Sequence, residues 1–181
     1  SGKKVFLLAG HRLPVKCATL IRNPQHVTQN VIDHDPFKKS TIQSTTHNQL
    51  LISGSSDKMI KIWDLSDGRC IQTLTEHTGS VRCICLLDND RFCSAGNDTM
   101  IHVWNSGGEL LGSIQRKDDD NIHQLIALSN NRIVVASDNN VMYIYDTVSF
   151  TRVETSLKEH QESVQCLIKI DDKSFASASI D

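Results

Sequence analysis

Three segments of this chain end alike. They are Met59-Ile-Lys-Ile-Trp63-Asp64, Met100-Ile-His-Val-Trp104-Asn105 and Val141-Met-Tyr-Ile-Tyr145-Asp146, and their last residues are spaced by 41 and again by 41. Upstream of them stand Leu51-Ile-Ser-Gly-Ser-Ser-Asp57, Phe92-Cys-Ser-Ala-Gly-Asn-Asp98 and Val134-Val-Ala-Ser-Asp-Asn139-Asn140, and a fourth copy runs Phe175-Ala-Ser-Ala-Ser-Ile-Asp181. A second mark, His after Gly or Glu, recurs at His11, His77 and His160. A fixed period of this length means that each unit is one small supersecondary element. Such a unit cannot bury both faces alone, so neighbouring units must stack.

Each period reads as short strands and tight turns. Ser80-Val-Arg-Cys-Ile-Cys-Leu-Leu is β-branched and apolar, Asp88-Asn-Asp is turn chemistry, and Arg91-Phe-Cys-Ser-Ala is a second strand before the turn Gly96-Asn-Asp. Met100–Trp104, the turn Asn105-Ser-Gly-Gly and Glu109-Leu-Leu-Gly-Ser-Ile complete four strands. The expected fold is all-β, built from four-stranded antiparallel sheets stacked around an axis, which protects most sheet edges.

The spacing, the Gly-His or Glu-His opening, the Ser-x-Ser-x-Asp turn and the Trp-Asp ending resemble the WD40-repeat β-propeller family. The resemblance covers nearly the whole chain apart from residues 22–47. It implies WD40-like propeller blades in an incomplete ring, with blade ends near residues 64, 105 and 146. It also implies a structural tetrad of His, Ser, Asp and Trp in each regular repeat. Carried onto this sequence, these are His11, Ser53, Asp57 and Trp63, then His77, Ser94, Asp98 and Trp104, and in the last copy His160, Ser177 and Asp181. The chemistry suits burial, because a Trp donor, a Ser hydroxyl, a neutral imidazole and a carboxylate satisfy one another in a chain. The third repeat departs from the pattern: no His opens it after Asp118-Asp-Asp, and Val135, Asn139 and Tyr145 stand at the Ser, Asp and Trp positions. That blade is expected to hold by strand pairing and apolar stacking. The phasing of Glu159-His160-Gln161 with Ser163-Val164, the altered third blade and the Val-Trp-Asn ending also resemble the WD-repeat subunit of lysosome-associated DENN-domain complexes.

From His11 to Trp63 is 52 residues against 27 from His77 to Trp104, which leaves 25 extra between a first strand over 14–21 and a second over 49–53. This insert, residues 22–47, holds His26, His34 and His47 with Asp33 and Asp35, in no recognised metal-ligand spacing. It reads as a polar excursion that contacts a partner. Asp118–Asp120 reads as a solvated loop, or as a contact for a basic partner.

Composition narrows the function. The chain has 181 residues, 39% of them hydrophobic, and a net charge of −2 from 19 basic and 21 acidic residues. That balance disfavours nucleic acid, and no apolar run approaches the length of a membrane span. The six cysteines form no Cys-x-x-Cys pair, so reduced thiols and a cytoplasmic location are expected, with no cofactor and no metal. The chain begins at Ser1 and stops within a repeat, so it is expected to be an arc of a larger ring, with Val5–Leu8 as an outer strand and apolar end faces that favour association.

Ser, His and Asp recurring together suggest a hydrolase triad, but a catalytic site needs one constellation, and here the set recurs once per repeat. The expectation is a non-catalytic scaffold for protein–protein interactions within a multi-subunit complex. In the family resembled, the narrow propeller face is the commonest contact surface. It would be formed here by Pro14, Lys16, Ser80, Arg82, Ser163 and Gln165 with Ser56, Asn97 and Ile180. Arg82 ranks first: it either binds a partner's carboxylate or pairs with Glu76. The alternatives are a substrate-recruiting adaptor of a ubiquitin ligase, a propeller hydrolase and a metal-binding protein. The adaptor reading lacks its Trp-Asp-x-Arg box, since Ser66 and Gly107 occupy the fourth positions.

Overall fold

The structure is a computed structural model that describes residues 7–22, 49–88, 90–117 and 120–181. Its described elements are all strands. The first sheet has the order β1 (Val15–Arg22), β2 (Gln49–Ser55), β3 (Ile60–Asp64), β4 (Cys70–Leu74). The second runs β5 (Val81–Leu86), β6 (Arg91–Gly96), β7 (Met100–Asn105), β8 (Leu110–Gln115). The third runs β9 (Ile122–Ala127), β10 (Arg132–Ser137), β11 (Met142–Asp146), β12 (Thr151–Leu157), and β13 (Val164–Lys169) with β14 (Phe175–Ser179) begins a fourth. Every pairing is antiparallel between sequence neighbours, and the described sheets do not close a ring.

The Trp-Asp, Trp-Asn and Tyr-Asp marks at 64, 105 and 146 close the third strand of each sheet. The sheets themselves end one strand later, at Leu74, Gln115 and Leu157. The first strand begins and ends one residue later than the expected 14–21, and the second extends to Ser55 instead of Ser53. Leu7 and Leu8, expected in an outer strand over 5–8, are not in a strand, and residues 5 and 6 lie outside the described residues. The insert over 22–47, with its three histidines, lies outside them too, apart from Arg22 at the end of β1.

The core sits between sheets, as the stacking argument requires. Ile52, Ile60, Ile62 and Val81 pack with Phe92 and Trp104 between the first and second sheets. Ile101, Val103 and Ile114 meet Ile133, Val135 and Tyr145 between the second and third. In β7, Ile101 and Val103 thus serve one face while Trp104 serves the other, and all three are at most 1% exposed. Val164 and Leu167 of β13 pack on Ile126, Val134 and Met142. The far faces differ: Ile168, Ile170 and Ile180 beside β14, and Val15 and Leu20 on β1, are exposed.

The innermost strands share one irregularity. Register shifts occur between Val15 and Cys17, Val81 and Cys83, and Val164 and Cys166. In β9 the pairing passes from Gln124 to Ile122. Lys16, Arg82, His123 and Gln165 are therefore the bulge residues of their strands. A bulge bends the strand and re-aims its side chain out of the ladder.

Candidate functional site

The predicted tetrads form. Trp63 Nε1 donates to Ser53 Oγ at 2.8 Å, Ser53 Oγ lies 2.8 Å from His11 Nε2, and His11 Nδ1 lies 2.9 Å from Asp57. In the second sheet, Trp104 donates to Ser94 at 2.9 Å, Ser94 meets His77 Nε2 at 2.8 Å and His77 Nδ1 meets Asp98 at 2.7 Å. Because Trp only donates, the hydroxyl donates on to Nε2, and the proton on Nδ1 faces the carboxylate. The last copy brings His160 to Ser177 at 2.8 Å and to Asp181 at 3.1 Å.

The carboxylates are held in turns by backbone donors as well. Arg12 N and Met59 N bond Asp57, while Thr78 N and Met100 N bond Asp98. Burial alone would raise the Asp98 carboxyl. The His77 hydrogen bond, with these amides, outweighs it and holds Asp98 well below the usual carboxylate range. Asp181 is lowered to about 2, chiefly by the Gln161 backbone N–H.

These sets are spent on structure. Each Ser hydroxyl is engaged by a Trp or an imidazole, and Ser94 is fully buried, so none is an exposed nucleophile.

The third sheet holds no tetrad, as expected, yet it is not purely apolar there. Val135 and Tyr145 are buried in the seam with the second sheet. Asn139 Oδ1 accepts from Ser137 Oγ and Val141 N, and its amide donates to Asp120 Oδ2 at 2.6 Å. Acid and partner have exchanged segments relative to the other blades. Asp120 is thus a structural anchor and not a solvated loop residue, while Asp118 and Asp119 lie outside the described residues.

His102, which the sequence reading did not single out, is buried beside the second tetrad. Its Nδ1 bonds Ser113 Oγ at 2.7 Å, its ring stands edge-on to His77 at 4.5 Å, and its Nε2 has no hydrogen-bond partner among the described residues. Burial lowers His102 to about 4. His77, Asp98 and His102 bring ligand-type atoms within 4.8 Å of one another. Both nitrogens of His77 are already engaged, so a cation here would have to break the tetrad.

The residues that the resemblance assigns to a narrow face lie at and beside the bulges. Ser56 N bonds Pro14 O, and Asn97 N bonds Ser80 O, each at 3.0 Å, so each turn is tied to the entry of its innermost strand. Asp138 N bonds Asn121 O in the same way. Ser80 Oγ reaches Ser56 Oγ at 3.4 Å across the first seam. Ser163 Oγ reaches His123 Nε2 at 3.4 Å across the third, and Gln165 bonds Ser163 at 2.7 Å. Ile180 is exposed beside them. Arg82 forms no ion pair or side-chain hydrogen bond among the described residues; Glu76 accepts from Thr75 N instead. The sequence reading missed the third blade's contribution, His123 and Asp138, which pair at 2.6 Å with Asn121 donating to Asp138 at 2.8 Å. His123 stands one 41-residue period after Arg82, a signal present in the spacing.

Among the described residues no helix is long and apolar enough to cross a membrane. Residues 15–180 match the family model of the WDR41 β-propeller. WD repeat-containing protein 41 of Mus musculus is 30% identical over 99% of this chain and 36% of its own length. The protein of that name from Homo sapiens is 29% identical over 73% of the chain and 30% of its own length. The chain thus spans about a third of the length of these curated relatives. The WD40 β-propeller domain of Doa1 superposes with a TM-score of 0.72 at 17% identity, over 95% of this chain and 50% of that one. Propellers of the WD40 family are as a rule non-catalytic interaction scaffolds. The chain belongs to the WDR41 β-propeller family of WD40-repeat proteins.

Proposed function

We propose that this chain is an arc of a scaffold that binds a protein partner at its narrow face, through an acidic segment, as one subunit of a larger assembly. The observation that carries this reading is the bulge series Lys16, Arg82, His123, Gln165. The four share one structural class, the bulge of a sheet's first strand, and two of them are cations. Arg82 is the anchor because its guanidinium has no partner among the described residues, and a fork of donors fits a carboxylate bidentately. Asp138 already occupies His123, which leaves positive charge on the side of the first two blades. Membership of a DENN-domain complex, as the sequence resemblance implies, fits the same reading. The six thiols, none of them in a disulfide, suit a cytoplasmic location.

The test is a pull-down from cell extract with Arg82→Glu in the full-length protein, alongside thermal unfolding. Loss of partners with an unchanged melting curve supports the reading. Full partner recovery removes this face from consideration.

A further inference from the structure

Away from the narrow face, the outer rim between the second and third sheets carries a groove of about 590 Å³. Its floor is Ile114 of β8 with Tyr145 of β11 and Phe150 of the β11–β12 turn, and Lys117 and Arg152 stand on its walls. Between the first and second sheets, the Gln72 side chain packs on Gly108 of the β7–β8 turn and donates to its carbonyl at 3.4 Å.

Two features distinguish the groove from ordinary surface. The first is the convergence of two cations on one cavity. Lys117 and Arg152 form no ion pair or side-chain hydrogen bond among the described residues, although both line one cavity. The Arg152 guanidinium is nonetheless held, stacked over the Tyr143 ring at 3.9 Å from its centroid. That contact covers one face and leaves the edge with its N–H donors free for an anion. The second feature is Phe150, an aromatic residue at φ 54°, which is a costly conformation for a side chain of this kind. It holds the ring against Gly112, and that ring forms the apolar part of the groove.

We propose that this groove is a second docking site, which takes an acidic peptide segment of a partner protein. The segment seats one aliphatic or aromatic side chain against Phe150 and places its carboxylates on Lys117 and Arg152. A cavity of this size admits one or two side chains, and convergent cations beside an apolar floor select a chain that is both acidic and apolar. The site stands apart from the Arg82 face, so the two readings can fail separately.

The experiment is fluorescence anisotropy of the full-length protein with labelled hexapeptides of Glu flanking a central Phe, Leu or Trp. Controls have Gln in place of Glu, or Ser in place of the central residue. An oligothymidylate of similar charge serves as a competitor. The proposal expects binding of an acidic-apolar peptide, weakened about tenfold or more by Lys117→Glu with Arg152→Glu. Measured in the Arg82→Glu background, which removes the anchor of the other acidic-segment site, the binding and its loss in the charge variants should persist, with no competition by the oligonucleotide. Where the double variant melts early, Lys117→Gln alone reports the same loss without touching the Tyr143 stack. Absence of binding by all acidic-apolar peptides, equal binding of the Gln or Ser controls, equal competition by the oligonucleotide, or unchanged affinity in the charge variants overturns it.

Discussion

The ring of Phe150 lies flat enough against Gly112 that a Cβ at that position would overlap three of its carbons. This contact joins the β11–β12 turn of one blade to the outermost strand of the blade before it, so it sets how closely the two sheets approach at the rim. Gly112→Ala must push the ring outward, and a destabilisation of about 1–3 kcal/mol is expected. In a Phe150→Ala background the same substitution should cost little, because the clash is gone. A double-mutant cycle by urea unfolding measures the coupling; additive effects would show that the ring relaxes freely.

The tetrad of the second blade makes a stability prediction that a catalytic reading does not share. Asp98→Ala orphans the buried His77 Nδ1 donor and removes the acceptor of the Thr78 and Met100 amides, and should cost about 2–4 kcal/mol in equilibrium unfolding. The Asp98 carboxyl is lower in the folded than in the unfolded chain, so its contribution is present above about pH 4 and fades as pH falls further. The gap between wild type and Asp98→Asn should therefore narrow from pH 5 down to pH 3. A constant gap over that range would mean that the carboxylate charge is not what stabilises the turn.

His102 acts in a different window. Its folded value of about 4 lies below the ordinary value of 6.5, so the unfolded chain takes up the proton first. Stability is intact above about pH 6.5 and is lost progressively as pH falls toward 4. The loss between pH 7 and pH 5 should be about 2 kcal/mol more in wild type than in His102→Gln, which has no group to titrate there. Parallel stability curves for the two proteins would contradict this.

What the sequence disclosed depended on marks recurring in phase. Trp63 and Trp104 each stand 10 residues after a Ser and 6 after an Asp, and the family resemblance carried by that repetition implies both hydrogen-bonded chains. The bulge at His123 was equally periodic, but its blade lacks an opening His and a Trp, so no landmark drew attention to it. His102 carries none of the recurring marks. Its character comes from Ser113 across the ladder and from His77 on the segment that leads into β5, and neither contact follows from spacing. The Phe150–Gly112 contact is set by how two sheets stack, which a periodic pattern leaves open. The strand ends shifted by one or two residues because a turn's hydrogen bonds, more than its composition, decide where a ladder stops.

Asn139 supplies a prediction against the grain of the repeat. The other blades carry Asp at this turn position, so Asn139→Asp restores the common residue. Here, however, the amide donates to Asp120 at 2.6 Å, and a carboxylate in its place would face another carboxylate with no donor between them. The backbone N–H of Val141 and the Ser137 hydroxyl would still be accepted, but one of the two acids would have to hold a proton or turn away. Asn139→Asp is expected to destabilise by about 1–3 kcal/mol at pH 7. The penalty should shrink at low pH, where a shared proton rebuilds the bond. Asp120→Asn should rescue the variant at pH 7, since the new amide donates to the new carboxylate and restores the polarity of the other blades. Chemical unfolding of the single and double variants at pH 7 and pH 4 decides it, and a stabilised Asn139→Asp would show that the turn position alone, and not its partner in the opening segment, governs this blade.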